Sequence, residues 1–545
     1  MKAANWYDQY IRTFPKDVKT FGLHFLLAEA LNDAGELEKA YSAYDTVAYD
    51  YPLAQQQTSD RGNDAEAGYS AVLIAQQLIE QSGDNLERKN QWQNTSIDSA
   101  LRFAKKYAID KRAVNVLSDA SNQLLALGRQ PEAIIVATQV AQWQPTPDNK
   151  IRQSAWLVVA QSEYDLKNYS GAESAYAQAL TVTAINDPQR QSIIDRRAAS
   201  LYKISEALLA KNDKAGAINQ LLSIQRMAPD SEIAATALYD AGNYLMELAR
   251  WQEAEQVFGS FQQSYGQNAL AKTLPAKFVV IYQELGQWDK AANALSIMAN
   301  SSDDPNVRRQ SLLLAADLYE KSGNTPKALQ AYEDYIQQHP QPFDEAIEAT
   351  SKLAKLYGAA NNTPQQERWL QQLITQHDRV GSAATQRSTF LAAEASSYFA
   401  QQRYQDFKRV PLTLPLKNSL KRKQTALKQA LNAYQKVIDY GVARFATQAN
   451  YYIGNIYVQL SKDLIASERP KGLDALALEQ YEVLLEEQAY PFEEKAIALH
   501  QSNAARAKDN LYDEWVKKSY AALAELNPGK YRKPEQRQEV IRALY

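Results

Sequence analysis

A pattern that occurs three times at a fixed step constrains the fold of this chain more than any other feature. Ala254, Ala291 and Ala328 follow one another at steps of 37 residues, and a helix-length segment precedes each of them. Large residues stand four positions after each alanine and again three positions further on: Phe258, Leu295 and Tyr332, then Phe261, Met298 and Tyr335. Helices approach closely only where small side chains meet, so this layout predicts pairs of helices that cross at an alanine.

The same layout resembles the tetratricopeptide repeat, in which two antiparallel helices cross at small residues and a proline follows the second helix. Pro340 stands in that place, twelve residues after Ala328. One such pair cannot bury its own apolar face, so successive pairs stack. The resemblance implies an all-α fold, an α-solenoid built as a right-handed superhelix of about 12 repeats.

The pattern along the chain predicts four parts. Residues 1–404 form the solenoid, which starts in mid-repeat because Ala3 and Pro15 have the spacing of a second helix without a first one. The parts that follow are a basic insertion at 405–428, C-terminal repeats at 429–528 and a polar tail at 529–545.

Smaller irregularities are predicted within these parts. Residues 55–66 are expected to form a loop, and the polar stretches 82–96 and 466–473 are expected to be insertions. Ala477, Tyr481 and Leu484 are predicted to begin the second helix of a late repeat.

Composition excludes several classes of function. The net charge of −3 provides no global basic field for nucleic acid or anionic lipid. No apolar run approaches the roughly 18 residues that a transmembrane helix needs, so no transmembrane segment is expected. Any targeting segment is expected upstream of residue 1.

The chain contains no cysteine, which excludes thiol catalysis, zinc–thiolate sites and disulfides. Absence over 545 residues suits an oxidising compartment such as the bacterial periplasm, where a stray thiol is a liability. The alternative is that copying of a cysteine-free repeat never introduced one.

No catalytic or metal-binding motif is present. The four histidines lie far apart in sequence, without a second ligand at metal-binding spacing: His24, His339, His377 and His500. Phosphate-binding glycine motifs and the G-x-S-x-G nucleophile motif are absent. The sequence therefore predicts a protein that is not an enzyme and that uses no metal and no cofactor.

A solenoid of this family offers a groove lined by the first helix of each pair, and the resemblance implies that side chains at repeat positions 2, 5, 9 and 12 reach it. The partner-binding candidates carried over in this way are Tyr239, Asn243, Met246, Val280, Gln283, Leu313 and Asp317. Asparagine recurs at position 9, at Asn122, Asn243 and Asn455, where its amide can both donate to and accept from a ligand backbone. The alternative is a surface asparagine without a partner.

The basic insertion is a second candidate surface. It carries Lys408, Arg409, Lys417, Lys421, Arg422 and Lys423, with no acidic residue after Asp406. Such a segment could dock an acidic partner or anionic headgroups. The alternative is a solvated loop that leads into a surface helix.

A narrower resemblance lies in the C-terminal third, in the basic insertion and in residues 451–473, 479–496 and 511–531. This part is similar to large periplasmic tetratricopeptide proteins of Gram-negative bacteria, including the GltE/AglT-type gliding-motility protein and relatives found with TolQ/ExbB-like motor subunits. The helix pairs also resemble those of the outer-membrane scaffolds BamD and CpoB.

These resemblances imply a non-catalytic protein–protein interaction scaffold in the periplasm, in a motility or transport complex that is coupled to such a motor. Its partners would be other envelope proteins or peptides, and the complex could be associated with the outer membrane or peptidoglycan. Two alternatives remain open at this point: a cytosolic adaptor, and a helical support region of an envelope glycan-processing protein.

Overall fold

The computed structural model describes residues 1–52 and 62–532, and within these ranges the chain is all-α, with 25 α-helices and no strand. It divides into two compact units, Met1–Leu274 and Pro275–Tyr545. None of the described helices offers the continuous apolar length needed to cross a bilayer.

In the first unit each helix packs against the next one in the chain. The helices are α1 (Lys2–Thr13), α2 (Thr20–Asp33), α3 (Leu37–Tyr49), α4 (Asn63–Gln81), α5 (Leu86–Lys106), α6 (Ala113–Ala126), α7 (Gln130–Ala141), α8 (Asn149–Asp165), α9 (Tyr169–Val182), α10 (Arg190–Ala210), α11 (Lys214–Met227), α12 (Glu232–Glu247) and α13 (Trp251–Tyr265). A short 3-10 helix follows at Ala269–Thr273.

In the second unit each helix from α15 onward packs against its successor. The helices are α14 (Leu274–Glu284), which begins at the boundary, α15 (Trp288–Ser301), α16 (Pro305–Ser322), α17 (Thr325–Gln338), α18 (Phe343–Ala359), α19 (Thr363–Val380), α20 (Gln386–Arg409), α21 (Leu416–Asp439), α22 (Ala443–Ile465), α23 (Ala475–Ala505), α24 (Glu514–Leu526) and α25 (Pro528–Tyr531).

The predicted alanine positions lie at the helix crossings and are fully buried. All of them have no exposed surface: Ala40, Ala133, Ala172, Ala217, Ala254, Ala291, Ala328 and Ala430. The large residues four positions later are buried too, at Tyr44, Tyr176, Leu221, Phe258, Leu295, Tyr332 and Tyr434. The sequence prediction of stacked helix pairs is therefore confirmed within each unit.

Where the large residue is tyrosine, its hydroxyl bonds back to the first helix of the pair. Tyr44 donates to Glu29, Tyr176 lies 3.4 Å from Gln161, Tyr332 donates to Asp317, and Tyr434 donates to Gln401 at 2.8 Å. Burial and the carboxylates of Asp317 and Glu320 raise the pKa of Tyr332, so that its hydroxyl stays protonated and donates. These bonds tie the two helices of a pair together at their polar edge.

The stretch 82–96, predicted as an insertion, is mostly helical in the structure, because its polar residues belong to a lengthened helix. Only residues 82–85 link α4 to α5, and the rest of stretch 82–96 is the first half of α5. Its Asn85 caps the helix through Arg88 N, and Trp92 packs at 5.4 Å, ring to ring, against Tyr41.

Residues 405–428, predicted as an insertion, are also mostly helical. α20 continues to Arg409 and α21 begins at Leu416, so only residues 410–415 are outside a helix. Pro411 and Pro415 lie in that link, because proline ends one helix and is tolerated at the start of the next. The predicted divisions at 404 and 428 therefore fall inside helices.

The late repeat is displaced from its predicted position. Residues 466–474 link α22 to α23, but α23 then runs without interruption through Pro491. Ala477 is only partly buried and Leu484 is exposed, whereas Ala489 and Ala496 are buried. The first half of α23 therefore extends past the helix crossing. Residues 55–61 of the predicted loop and 533–545 of the predicted tail lie outside the described residues.

One crossing depends on glycine in place of alanine. Gly242 of α12 lies against Phe258 of α13, and a Cβ atom at position 242 would be 2.6 Å from ring atoms Cε1 and Cζ. The ring thus occupies the space that a methyl group would need.

We expect Gly242→Ala to destabilise the α12–α13 pair. Alanine gains about 1 kcal/mol of helix propensity over glycine, whereas overpacking of a core costs about 1–3 kcal/mol. Amide hydrogen exchange of α12 and α13 should therefore become faster in the variant.

Gly259 provides a matched control in α13, because nothing lies within 4 Å of the Cβ atom that alanine would add. Gly259→Ala should slow exchange, since propensity acts there alone. Adding Phe258→Leu to Gly242→Ala should restore protection. Slower exchange in Gly242→Ala alone would contradict the close-packing account.

Candidate protein-binding surfaces

The groove candidates of the first unit lie on α12. Tyr239 is half-buried, with its ring 5.7 Å from that of Phe258 and its hydroxyl 2.7 Å from Thr273 Oγ1. The Oδ1 atom of Asn243 is buried and has no hydrogen-bond partner within the described residues, and Met246 is half-buried. Tyr239 therefore has a packing role, and Asn243 retains an unused acceptor.

The candidates of the second unit lie on α14 and α16. Val280 and Gln283 are exposed, and Leu313 is half-buried against the core. Asp317 accepts the Tyr332 hydroxyl and is 2.6 Å from Lys352 Nζ. The structure thus assigns Asp317 a bond that holds its helix pair together.

A groove on the first helices of the first unit surrounds Asn122. It has a volume of about 780 Å³ and lies between α6, α8 and the start of α10. We call it the Asn122 groove, and its walls include Asn122, Leu125, Lys150, Ser154, Leu157, Gln161, Asp187 and Arg196.

Polar groups in the Asn122 groove form a row with leucines beside it. Asn122 Nδ2 donates to Ser118 O at 3.0 Å and lies 3.4 Å from Ser154 Oγ. About two turns further along α8, Gln161 Oε1 lies 3.4 Å from a guanidinium nitrogen of Arg196. Gln161 Oε1 also accepts the Tyr176 hydroxyl at 3.4 Å, and Gln161 Nε2 donates to Asp165 at 2.8 Å. Amide and hydroxyl groups of this kind can both donate to and accept from a peptide backbone.

The sequence prediction included Asn122 but missed the α8 residues of this groove. Counted from Ala172 as the crossing alanine, Ser154, Leu157 and Gln161 occupy repeat positions 2, 5 and 9. These are the positions that were carried over for the regular repeats. Applying the same count to this repeat would have found all three.

A second groove surrounds Asn455 in the second unit. It has a volume of about 430 Å³ and lies between α22 and α24, with Tyr404, Asn455, Val458, Lys462, Glu493 and Glu525 among its walls. Two of the three recurring asparagines therefore line grooves on first helices.

The basic segment does not form one exposed surface. Lys423 has no exposed surface, because its ammonium group donates to Phe407 O at 2.7 Å and Val410 O at 3.1 Å. It also forms an ion pair with Asp463 at 2.6 Å. The prediction that Lys423 contacts a partner is corrected: this lysine anchors the 410–415 link against α22.

The other basic residues lie on helix surfaces. Lys408 and Arg409 are in the last turn of α20, where Arg409 is 3.7 Å from Asp406. Lys417, Lys421 and Arg422 are exposed in the first turns of α21. An exposed basic face therefore remains on α21, without Lys423.

Comparison with known proteins identifies the repeat. Residues 310–342, which include most of α16 and all of α17, match the family model of the tetratricopeptide repeat. The chain contains a tetratricopeptide repeat. Repeats of this family stack into extended surfaces that bind protein partners. A search of curated protein sequences finds no match.

Solved structures with similar helices include other tetratricopeptide repeat proteins. A Parabacteroides merdae protein is 14% identical with a TM-score of 0.21, over 52% of this chain and 98% of its own. A Cytophaga hutchinsonii protein is 14% identical with a TM-score of 0.24, over 50% and 98%. Yeast Tom70 is 10% identical with a TM-score of 0.24, over 94% and 96%.

The described residues contain no group of three or more histidine, aspartate and glutamate side chains that could hold a metal ion. The polar groups of the two grooves are amides, hydroxyls and charged side chains. Such groups bind and orient a ligand through hydrogen bonds.

We expect Lys423→Met to destabilise the α20–α22 region by about 3 kcal/mol. The change leaves two buried carbonyls and a partly buried carboxylate without their cation. Amide exchange of α20, α21 and α22 measures the loss.

Lys421→Met is the matched control, because Lys421 is exposed two residues away on the same helix. It should change exchange by no more than about 0.5 kcal/mol. Equal effects of the two substitutions would show that Lys423 has no anchoring role.

Proposed function

We propose that this protein is a non-catalytic scaffold that binds extended segments of partner proteins along the first helices of its repeats. The observation that supports this most directly is the row of Asn122, Ser154 and Gln161 on the floor of the Asn122 groove. Asn122 stands on α6 and the other two groups on α8, and all three lie along one open groove.

The groove matches a peptide better than a small molecule. It is open along its length, and the apolar side chains of Leu125 and Leu157 lie beside the amide row. An extended peptide can bond its backbone to the amides and place alternate side chains against the leucines. The lining also holds two cations, Lys150 and Arg196, and one carboxylate, Asp187, so a segment that carries charges of both signs fits it.

We expect a photoreactive amino acid at position 157 to crosslink to partner proteins in living cells, because Leu157 faces the groove. The same amino acid at position 135 is the control, since Ile135 is 69% exposed on the second helix α7. Discrete adducts should form at 157 and not at 135, and Asn122→Ala with Gln161→Ala should abolish them.

Equal adducts at both positions, or adducts at 157 that survive the double substitution, would contradict peptide binding in this groove. Asn122 is exposed, whereas Gln161 is half-buried and accepts the Tyr176 hydroxyl at 3.4 Å. The double variant should therefore keep the helical circular dichroism of the unsubstituted chain for the crosslinking result to count.

A finer proposal concerns location and assembly. We propose that the scaffold works in the periplasm of a Gram-negative bacterium, near the outer membrane, in a motility or transport complex with a TolQ/ExbB-like motor. The absence of cysteine and the similarity of the C-terminal third to periplasmic tetratricopeptide proteins support this proposal.

We expect osmotic-shock fractionation of the producing bacterium to recover the protein with periplasmic markers, and crosslinks from position 157 to include envelope proteins. A cytosolic enzyme and a periplasmic enzyme serve as fraction controls. Recovery with the cytosolic marker would replace this proposal with the cytosolic adaptor and would leave the groove unaffected.

A further inference from the structure

The first half of α23 exposes a row of apolar side chains. Leu476, Val483 and Tyr490 are 65%, 52% and 60% exposed. They follow one another at steps of seven residues, so they share one face of the helix. The opposite face carries Leu485 and Ala489, which are buried. This helix is therefore apolar on both sides, although the residues that the structure describes cover only one of them.

The exposed row lies where the next repeat stops covering the helix. α24 packs on the second half of α23: Ser519 Oγ is 2.9 Å from Asn503 Nδ2, and the Tyr520 hydroxyl is 3.1 Å from Ala504 O. Pro491 separates this covered half from the exposed one. In the preceding pair, α22 packs on α21 and buries Tyr434 and Val437.

Carboxylates surround the exposed row. Residues 472–494 contain no lysine or arginine and seven acids: Asp474, Glu479, Glu482, Glu486, Glu487, Glu493 and Glu494. Among these, Glu482 forms the one ion pair recorded within the described residues, to Arg469 at 3.5 Å. Helical spacing places Glu479 and Glu486 along one side of the row and Glu487 between Val483 and Tyr490.

The row and its carboxylates form a surface that we call the α23 stripe: Leu476, Val483 and Tyr490 with Glu479, Glu486 and Glu487. Its fourteen-residue span corresponds to about 21 Å of helix, or four turns. Apolar residues at seven-residue steps are the pattern by which one helix packs along another. The flanking charge is entirely negative.

We propose that the α23 stripe docks a basic amphipathic helix of a partner protein, with apolar residues at seven-residue spacing against the stripe and lysines or arginines against Glu479, Glu486 and Glu487. The stripe repels an anionic membrane surface and nucleic acid, because both carry the same sign of charge. It shares no residue with the Asn122 groove, so this proposal does not rest on the proposed function.

A second copy of this chain fits the stripe less well. The exposed basic face of α21 carries Lys417, Lys421 and Lys428 on one side, with Gln424 between them. That face has matching charge but no apolar residues to cover Leu476 and Val483. The partner must therefore bring its own apolar row.

The probe is a fluorescent peptide of about 16 residues, with leucines at seven-residue spacing and lysines on both flanks. Its control has the same composition with the leucines scattered around the helix. We expect the full chain to bind the first peptide at least ten-fold more tightly than the scattered one, measured by fluorescence anisotropy. Hydrogen exchange in residues 476–490 should slow on binding.

Two double variants test the two parts of the stripe. Leu476→Ser with Val483→Ser removes the apolar row, and Glu479→Lys with Glu486→Lys reverses the charge. Each should weaken binding at least ten-fold, while the control Ile135→Ser on α7 should not change it. All four positions are exposed, so helical circular dichroism should stay unchanged.

Other results would overturn the proposal. If the full chain binds neither peptide, the stripe is not a docking site for a basic helix. Equal binding of the scattered peptide would show that the acids attract cations without recognising a helix. Ten-fold tighter binding to a chain that ends at Arg532 would assign the stripe to residues 533–545, which include Arg537 and Arg542. A dimer lost in the serine double variant would assign it to a second copy. Crosslinking from position 157 should be unaffected by every stripe variant.

Discussion

The close contact of two helices at a buried alanine is the interaction on which both units depend. Ala254, Ala291 and Ala328 have no exposed surface, and each lets a large residue one turn later enter the space between helices. Because each pair leaves an apolar face for its successor, the fold grows by local contacts alone. Gly242 shows how tight this contact is, since the Phe258 ring fills the space that a methyl group at position 242 would need. Binding surfaces can therefore arise only where successive pairs leave a groove or where the stacking is incomplete.

Polar residues on the first helices divide into two groups with different uses. Some are held inside the pair, as Asp317 is by the hydroxyl of Tyr332 and by Lys352. Others, such as Asn122 and Ser154, face an open groove and have only long contacts with each other. The tyrosine one turn after the alanine explains part of the division, because its hydroxyl recruits a polar partner from the first helix. A repeat position alone therefore does not tell whether a side chain serves the fold or a ligand.

Sequence spacing predicted the helix pairs because few residue types other than a small one, followed one turn later by a large one, fit where two helices cross. It failed where helices are longer than the repeat, as at residues 82–96 and 405–428, because a polar run on an amphipathic helix has the composition of a loop. Lys423 is the sharpest case. Its burial depends on two carbonyls and on Asp463, forty residues away in sequence, which no local pattern reports. In the Asn122 groove the missed residues follow the same repeat count, so that failure came from incomplete use of the pattern.

The extension of α23 has a physical consequence at the end of the second unit. A stacked repeat normally ends on a polar face, since an uncovered apolar face is costly in water. The exposed face of α23 carries Leu476, Val483 and Tyr490, and carboxylates surround these side chains. The carboxylates keep this face hydrated, although no described residue covers it. Full burial of a leucine or valine side chain contributes about 1.5–3 kcal/mol, and association costs at least about 4 kcal/mol in lost freedom. Three such residues with a few ion pairs therefore support reversible rather than permanent binding. That strength suits a partner which binds and leaves repeatedly.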